Sequence, residues 1–177
     1  SLSIDQELKD RKGEAITLGN LGFAYGDLGQ HKRRIDFLKQ SLPIFQELKD
    51  RKGEAITLSH LGNAYYNLGQ YERAINFYQQ SLTVFRELKD RKGEANVLKN
   101  WGVAYYSLGQ YERAINFYQQ SLPIYQELKD RKGEANVLNG LCYAYKSQEQ
   151  SKKAIDMQQQ SLLIHQYLQY YQHEANF

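Results

Sequence analysis

Proline occurs only twice in the 177 residues, and cysteine, methionine and tryptophan once each. Each scarcity excludes something. Two prolines leave room for long uninterrupted helices. A lone cysteine, Cys142, rules out an internal disulfide. No stretch approaches the ~18 apolar residues that span a bilayer. No block of one charge sign is present either: 23 basic and 20 acidic side chains are interleaved, leaving +3, so there is no arm for nucleic acid or a membrane surface. The expectation is a soluble, intracellular, cytoplasmic protein. Residue 1 is Ser and the only methionine is Met157, so the native N-terminus is expected to lie upstream.

What is abundant is repetition. The string ELKDRKGEA begins at Glu7, Glu47, Glu87 and Glu127, which sets a period of 40 residues. Residues 51–90 and 91–130 differ at eleven positions and agree at 29 of 40. Such closeness implies recent duplication or a designed consensus.

Within one period, Leu58, Leu61, Gly62, Tyr65 and Leu68 fall at helical spacing and form an apolar stripe with small residues in it. This half is helix A. Ala74, Ile75, Phe77, Tyr78, Leu82, Phe85 and Leu88 make a second stripe, helix B. Between them Leu68-Gly69-Gln70 places glycine where helices end in the left-handed region, so B folds back on A. Asp50, Asp90 and Asp130 are placed to cap the next helix A. Pro43 and Pro123 fall inside helix B, where a kink is expected.

The order Leu58, Leu61-Gly62, Tyr65, Gly69, Tyr71, Ala74, Tyr78 resembles the tetratricopeptide-repeat pattern, and the match runs along nearly the whole chain. At 40 residues instead of the usual ~34, the unit is similar to the long-helix type of kinesin light chain, the GoLoco spindle-orientation scaffold and bacterial signalling proteins. The resemblance implies an all-α fold, a right-handed superhelical solenoid of antiparallel helix pairs. Its expected parts are a partial helix B at 1–10, repeats at 11–50, 51–90, 91–130 and 131–170, and the start of a further helix or a tail at 171–177. The fourth repeat drifts: Cys142 replaces Gly, Gln148-Glu149 replaces Leu-Gly, and Gln158 replaces an aromatic residue. Glu149 then has to turn the chain without glycine, at about 1–2 kcal/mol.

Catalytic chemistry has little to rest on. His31, His60, His165 and His173 are scattered, with no HExxH or Cys-His grouping, so neither an enzyme, a metal site nor a cofactor is expected. Cys142 stands where other repeats have Gly22, Gly62 and Gly102, and reads as a small buried filler. The run KDRKGE lacks the glycine spacing of phosphate loops and reads as a solvated rim. Two basic residues in the first turn of helix A oppose its dipole, which the sequence leaves unexplained.

The differences between near-identical repeats point to a site. Positions 56, 59, 60, 63 and 67 vary between repeats two and three and share one face of helix A. Exposed helix B residues Glu72-Arg73 and Gln79-Gln80 are retained in repeat three. In the tetratricopeptide family this helix A face lines the peptide-holding groove. The candidate binding residues are therefore His60, Asn63, Tyr66 and Asn67; Asn96, Lys99, Asn100 and Tyr106; and Asn136, Asn139, Tyr143 and Lys146. Amide side chains can pair with a peptide backbone, tyrosines can pack on it, and the lysines favour an acidic ligand. The reading is a protein-interaction scaffold for an extended or helical acidic peptide. The alternative is a structural spacer or self-association segment, joined end to end through terminal half-repeats. RNA is set aside, because Tyr25, Tyr65, Tyr105 and Tyr145 recur at a packing position and groove cations are few.

Overall fold

A computed structural model describes the backbone of residues 2–174 and the side chains of residues 10–170. The described residues form α-helices joined by short turns: α1 (Leu2–Asp27), α2 (His31–Glu47), α3 (Arg51–Asn67), α4 (Tyr71–Glu87), α5 (Arg91–Ser107), α6 (Tyr111–Glu127), α7 (Arg131–Ser147) and α8 (Ser151–Glu174). They divide into two compact units, Ser1–Asp90 and Arg91–Phe177. In the first, α1 packs on α2, α2 on α3 and α3 on α4; in the second, α5 packs on α6, α6 on α7, and α7 on α8. Odd-numbered helices are helix A and even-numbered ones helix B.

The turns follow from local chemistry. Gly29, Gly69 and Gly109 take φ of 71°, 71° and 72° at the A-to-B turn, and Glu149 takes 61° without glycine, as the fourth repeat requires. At the B-to-A turn the left-handed residue is a lysine, with φ of 54° at Lys49 and Lys89 and 55° at Lys129. This was not foreseen. The motif is nonetheless complete: Lys49 N–H bonds Gln46 O at 3.0 Å and Asp50 N–H bonds Phe45 O at 2.9 Å. Asp50 then caps α3 by accepting from Gly53 N at 2.9 Å, and Asp130 does the same for Gly133 at 2.8 Å.

At both ends of the chain the terminal helix is longer than the 17 residues of the inner ones. α1 runs unbroken through residue 10, and α8 runs unbroken through residue 170. A left-handed lysine is unfavourable by itself. At the first end the sequence keeps Lys9-Asp10, yet α1 continues through them. At the other end Gln169-Tyr170 replaces Lys-Asp, so the cap is gone. The segment 175–177 lies outside the described residues. Pro43 and Pro123 leave α2 and α6 continuous at 17 residues each, equal to α4.

Each pair is held by a small set of repeated contacts. Ala15, Ala55, Ala95 and Ala135 are at most 1% exposed. A buried helix B serine donates to the carbonyl of this alanine: Ser41 to Ala15 at 2.8 Å, Ser81 to Ala55 at 2.7 Å and Ser161 to Ala135 at 3.3 Å. Leu61 and Tyr65 are buried, as the periodicity predicts. Glycine makes room for aromatic rings: a Cβ on Gly62 would lie 2.4 Å from Tyr78, and one on Gly133 would lie 2.2 Å from Tyr125. In repeat four Cys142 fills that glycine slot, and the facing ring is replaced by Gln158, whose Oε1 lies 3.1 Å from Cys142 Sγ.

The charged rim is a set of ion pairs between the start of helix A and the end of helix B. Arg51 bridges Glu54 at 2.5 Å and also pairs with Glu87, at the end of α4. Arg91 bridges Glu94 at 2.5 Å and Glu127 at 2.9 Å, and Arg11 joins Glu14 and Glu47. A cation at the start of helix A is unfavourable, and so is an anion at the end of helix B. Placed side by side they compensate each other.

Candidate functional site

In the first unit the helix A face is more apolar than the sequence suggests. α1 and α3 line a cavity of 330 Å³ with Ile16, Phe23, Ile56 and His60, and Leu38 and Phe45 of α2 contribute to its wall. Ile16, Phe23 and Ile56 are 47%, 39% and 38% exposed, unusual for large apolar side chains in a packed pair. His60 meets Phe23 edge to face, with centroids 4.3 Å apart. Burial, and secondarily the Arg34 charge, bring its pKa down from 6.5 to about 4, so the imidazole is neutral at pH 7. Lys12, at the edge of the cavity, is paired with Asp50 at 2.7 Å. Asn63 is half-buried, and its Oδ1 accepts from Tyr78 Oη at 2.8 Å. Tyr78 itself is 1% exposed, and burial raises its pKa. Tyr66 packs against Tyr71 at 5.4 Å, and Asn67 is exposed.

In the second unit the face is polar. Asn96 Oδ1 accepts from Tyr125 Oη at 2.7 Å, and Tyr125 is 1% exposed. Lys99 is half-buried; burial lowers its pKa, and Asp130 opposes the shift. Asn100 and Asn139 are half-buried, whereas Asn136, Tyr143 and Lys146 are exposed. The Tyr106 ring lies 5.4 Å from Tyr111, and its hydroxyl is 3.4 Å from Ser147 Oγ. Among the described residues no group of three His, Cys, Asp or Glu could hold a metal ion, and no helix is long and apolar enough to cross a membrane.

All twelve predicted residues are therefore at least partly accessible, but not all are available in the same way. Asn63 and Asn96 already give their carbonyl oxygens to buried tyrosines. The sequence carried this signal in pairs of positions: Ile16 with Phe45 and Ile56 with Phe85 in repeats one and two become Asn96 with Tyr125 in repeat three. A hydroxyl added to helix B is matched by an amide on helix A. Part of the variation on helix A thus tracks its own partner helix. The exposure of Ile16 and Phe23 is not legible in the sequence, where apolar residues at helical spacing read as packing residues.

The tetratricopeptide-repeat family matches in three overlapping segments, residues 13–87, 53–127 and 93–166. A search of curated protein sequences returns no match. Among solved structures, BtubC from P. vanneervenii is 24% identical with a TM-score of 0.81, covering 88% of this chain and 64% of that one. Aspartyl phosphate phosphatase F from Bacillus subtilis is 19% identical with a TM-score of 0.85, over 89% of this chain and 42% of that one. A signal-transduction ATPase with a tetratricopeptide-repeat sensor from Pyrococcus horikoshii is 20% identical with a TM-score of 0.79, over 92% and 27%. The chain thus spans less than two thirds of each, and at these identities the likeness is one of fold. With its helix pairs, its Gly-aromatic packing and the match over residues 13–166, the chain belongs to the tetratricopeptide-repeat family.

Proposed function

We propose that this chain is a protein-interaction scaffold, not an enzyme, whose helix A faces bind an extended or helical peptide. Family membership supports the class of function. The observation that carries the finer reading is the 330 Å³ cavity, where three large apolar side chains remain open on the face that family members use for ligands. Exposed apolar patches of this kind usually mark contact sites. The face of the first unit suits an apolar side chain of a peptide; that of the second, taken by itself, has Asn136, Asn139, Tyr143 and Lys146 for polar contacts.

The test is selection from a random peptide-display library on the immobilised chain, followed by titration of an enriched peptide. Ile56→Asp or the pair Asn139→Ala and Lys146→Ala is expected to weaken binding ~10-fold or more. Glu72→Ala and Gln79→Ala, on exposed positions of α4, should leave affinity intact. Loss with the α4 changes and none with the groove changes would reject the reading. A second reading, self-association, is favoured by the exposed Ile155, Leu162, Tyr167 and Tyr170 of α8.

A further inference from the structure

Repeat one departs from the other three at two facing positions. Where they carry the buried Ala74, Ala114 and Ala154, α2 carries Arg34; where they carry Tyr66, Tyr106 and Lys146, α1 carries Gly26. The two changes belong together. A Cβ on Gly26 would lie 2.8 Å from Arg34 Cδ and 2.9 Å from one terminal nitrogen, so the arginine fills the space that glycine opens.

The guanidinium is poorly compensated where it lies. Its Nε is buried with no hydrogen-bond partner. Among the described residues it forms no ion pair; instead it sits over the Phe23 ring, 5.1 Å from the centroid. That ring also lines the apolar cavity and meets His60. Burial is the main influence on Arg34 and lowers its pKa, against the charge of Asp27 and, less, Tyr78. Nearby cations are accounted for: Lys12 is paired with Asp50 at 2.7 Å, Lys52 with Asp90 at 3.4 Å, and His60 is neutral. A half-buried charge without a partner is unfavourable for the fold, and such groups concentrate at binding sites. The planar five-donor fork suits a carboxylate.

We propose that Arg34 is the anion-reading residue of the first unit, pairing with a carboxylate of a bound peptide whose neighbouring apolar side chain occupies the cavity beside Phe23. This rests on the helix A face being a peptide groove. It replaces the lysines of the second unit as the reason for an acidic ligand here, since Lys99 and Lys146 lie elsewhere in the chain.

The probe is an array of hexapeptides in an alanine background, each with one Leu or Phe and one Glu, Gln or phosphoserine at every relative spacing. Retention is expected to need the Leu or Phe, and Glu should exceed Gln by ~10-fold or more at one or two spacings. Arg34→Ala should keep the apolar requirement and level Glu with Gln, while Arg34→Lys retains part of the preference. The double change Gly26→Tyr with Arg34→Ala installs the Tyr-Ala pairing of repeats two and three, so it fills the hole that Arg34→Ala leaves. It should behave like Arg34→Ala, with the helical circular dichroism unchanged. The proposal is overturned if the Glu preference survives removal of Arg34, if the native chain holds Leu and Phe peptides with no preference for Glu, or if phosphoserine outperforms Glu. If no peptide is retained and Leu or Phe makes no difference, the groove reading itself falls and takes this one with it.

Discussion

At the scale of single residues, repeated positions act as internal controls. Cys142 with Gln158 does in repeat four what Gly62 with Tyr78 does in repeat two: a larger residue on one helix is matched by loss of the ring that faces it. His60 is the residue whose environment carries a pH consequence. In the folded chain it stays neutral down to about pH 4, whereas unfolded it takes a proton near 6.5. Between those values the unfolded state binds more protons, so stability is full above the upper value and declines as pH falls toward the lower one. Asn occupies this position in repeats one and three, at Asn20 and Asn100. Urea midpoints measured at roughly pH 7.5 and pH 5 should therefore fall more for the native chain than for His60→Asn. Equal falls would mean that His60 is solvated and not held neutral by the fold.

At the scale of elements, a helix pair is joined by features spread over both of its members. The serine-to-alanine-carbonyl contacts and the Arg-Glu bridges recur, but the Asn-Tyr bonds are specific to one repeat each. Asn96→Ala leaves the Tyr125 hydroxyl buried without that acceptor, and is expected to destabilise the second unit by ~1–3 kcal/mol. The paired change Asn96→Ile with Tyr125→Phe copies Ile56 with Phe85 and should be near neutral, because both polar groups leave together. Chemical denaturation of the three proteins checks this. A neutral Asn96→Ala would show that the bond adds nothing to the pair. For the same reason, Asn63 and Asn96 are poor probes of ligand binding, and Asn139 is a better one.

At the scale of the whole molecule, the helix pairs within each unit pack on one another, α2 on α3 in the first and α6 on α7 in the second. α8 carries Ile155, Leu162 and Tyr167 at 56%, 54% and 51% exposure, and the corresponding Ile115 in α6 is 8% exposed. A second copy of this chain is a fitting cover, since Leu21 of α1 and Leu28 of the turn after it are exposed. Light scattering on this chain should then give a mass that rises with concentration, and Leu162→Glu with Tyr167→Glu should abolish the rise. A constant monomer mass for the native chain would reject self-association.

The sequence by itself determined the period, the helix pairs, the glycine turns and the aspartate caps. All of these are set by signals within one turn or one helix, where spacing dictates geometry. It also placed Leu61 and Tyr65 inside and the twelve binding candidates on accessible positions. It did not determine the two continuous terminal helices: Lys9-Asp10 repeats the turn sequence of Lys49-Asp50, yet α1 runs through it. Nor did it show that Asn63 and Asn96 are engaged, that Ile16, Phe23 and Ile56 surround a cavity, or that Arg34 fills the space beside Gly26. Those contacts join residues on different helices, and whether two side chains meet depends on how each helix is rotated against its neighbour. Only the packed tertiary structure decides that rotation.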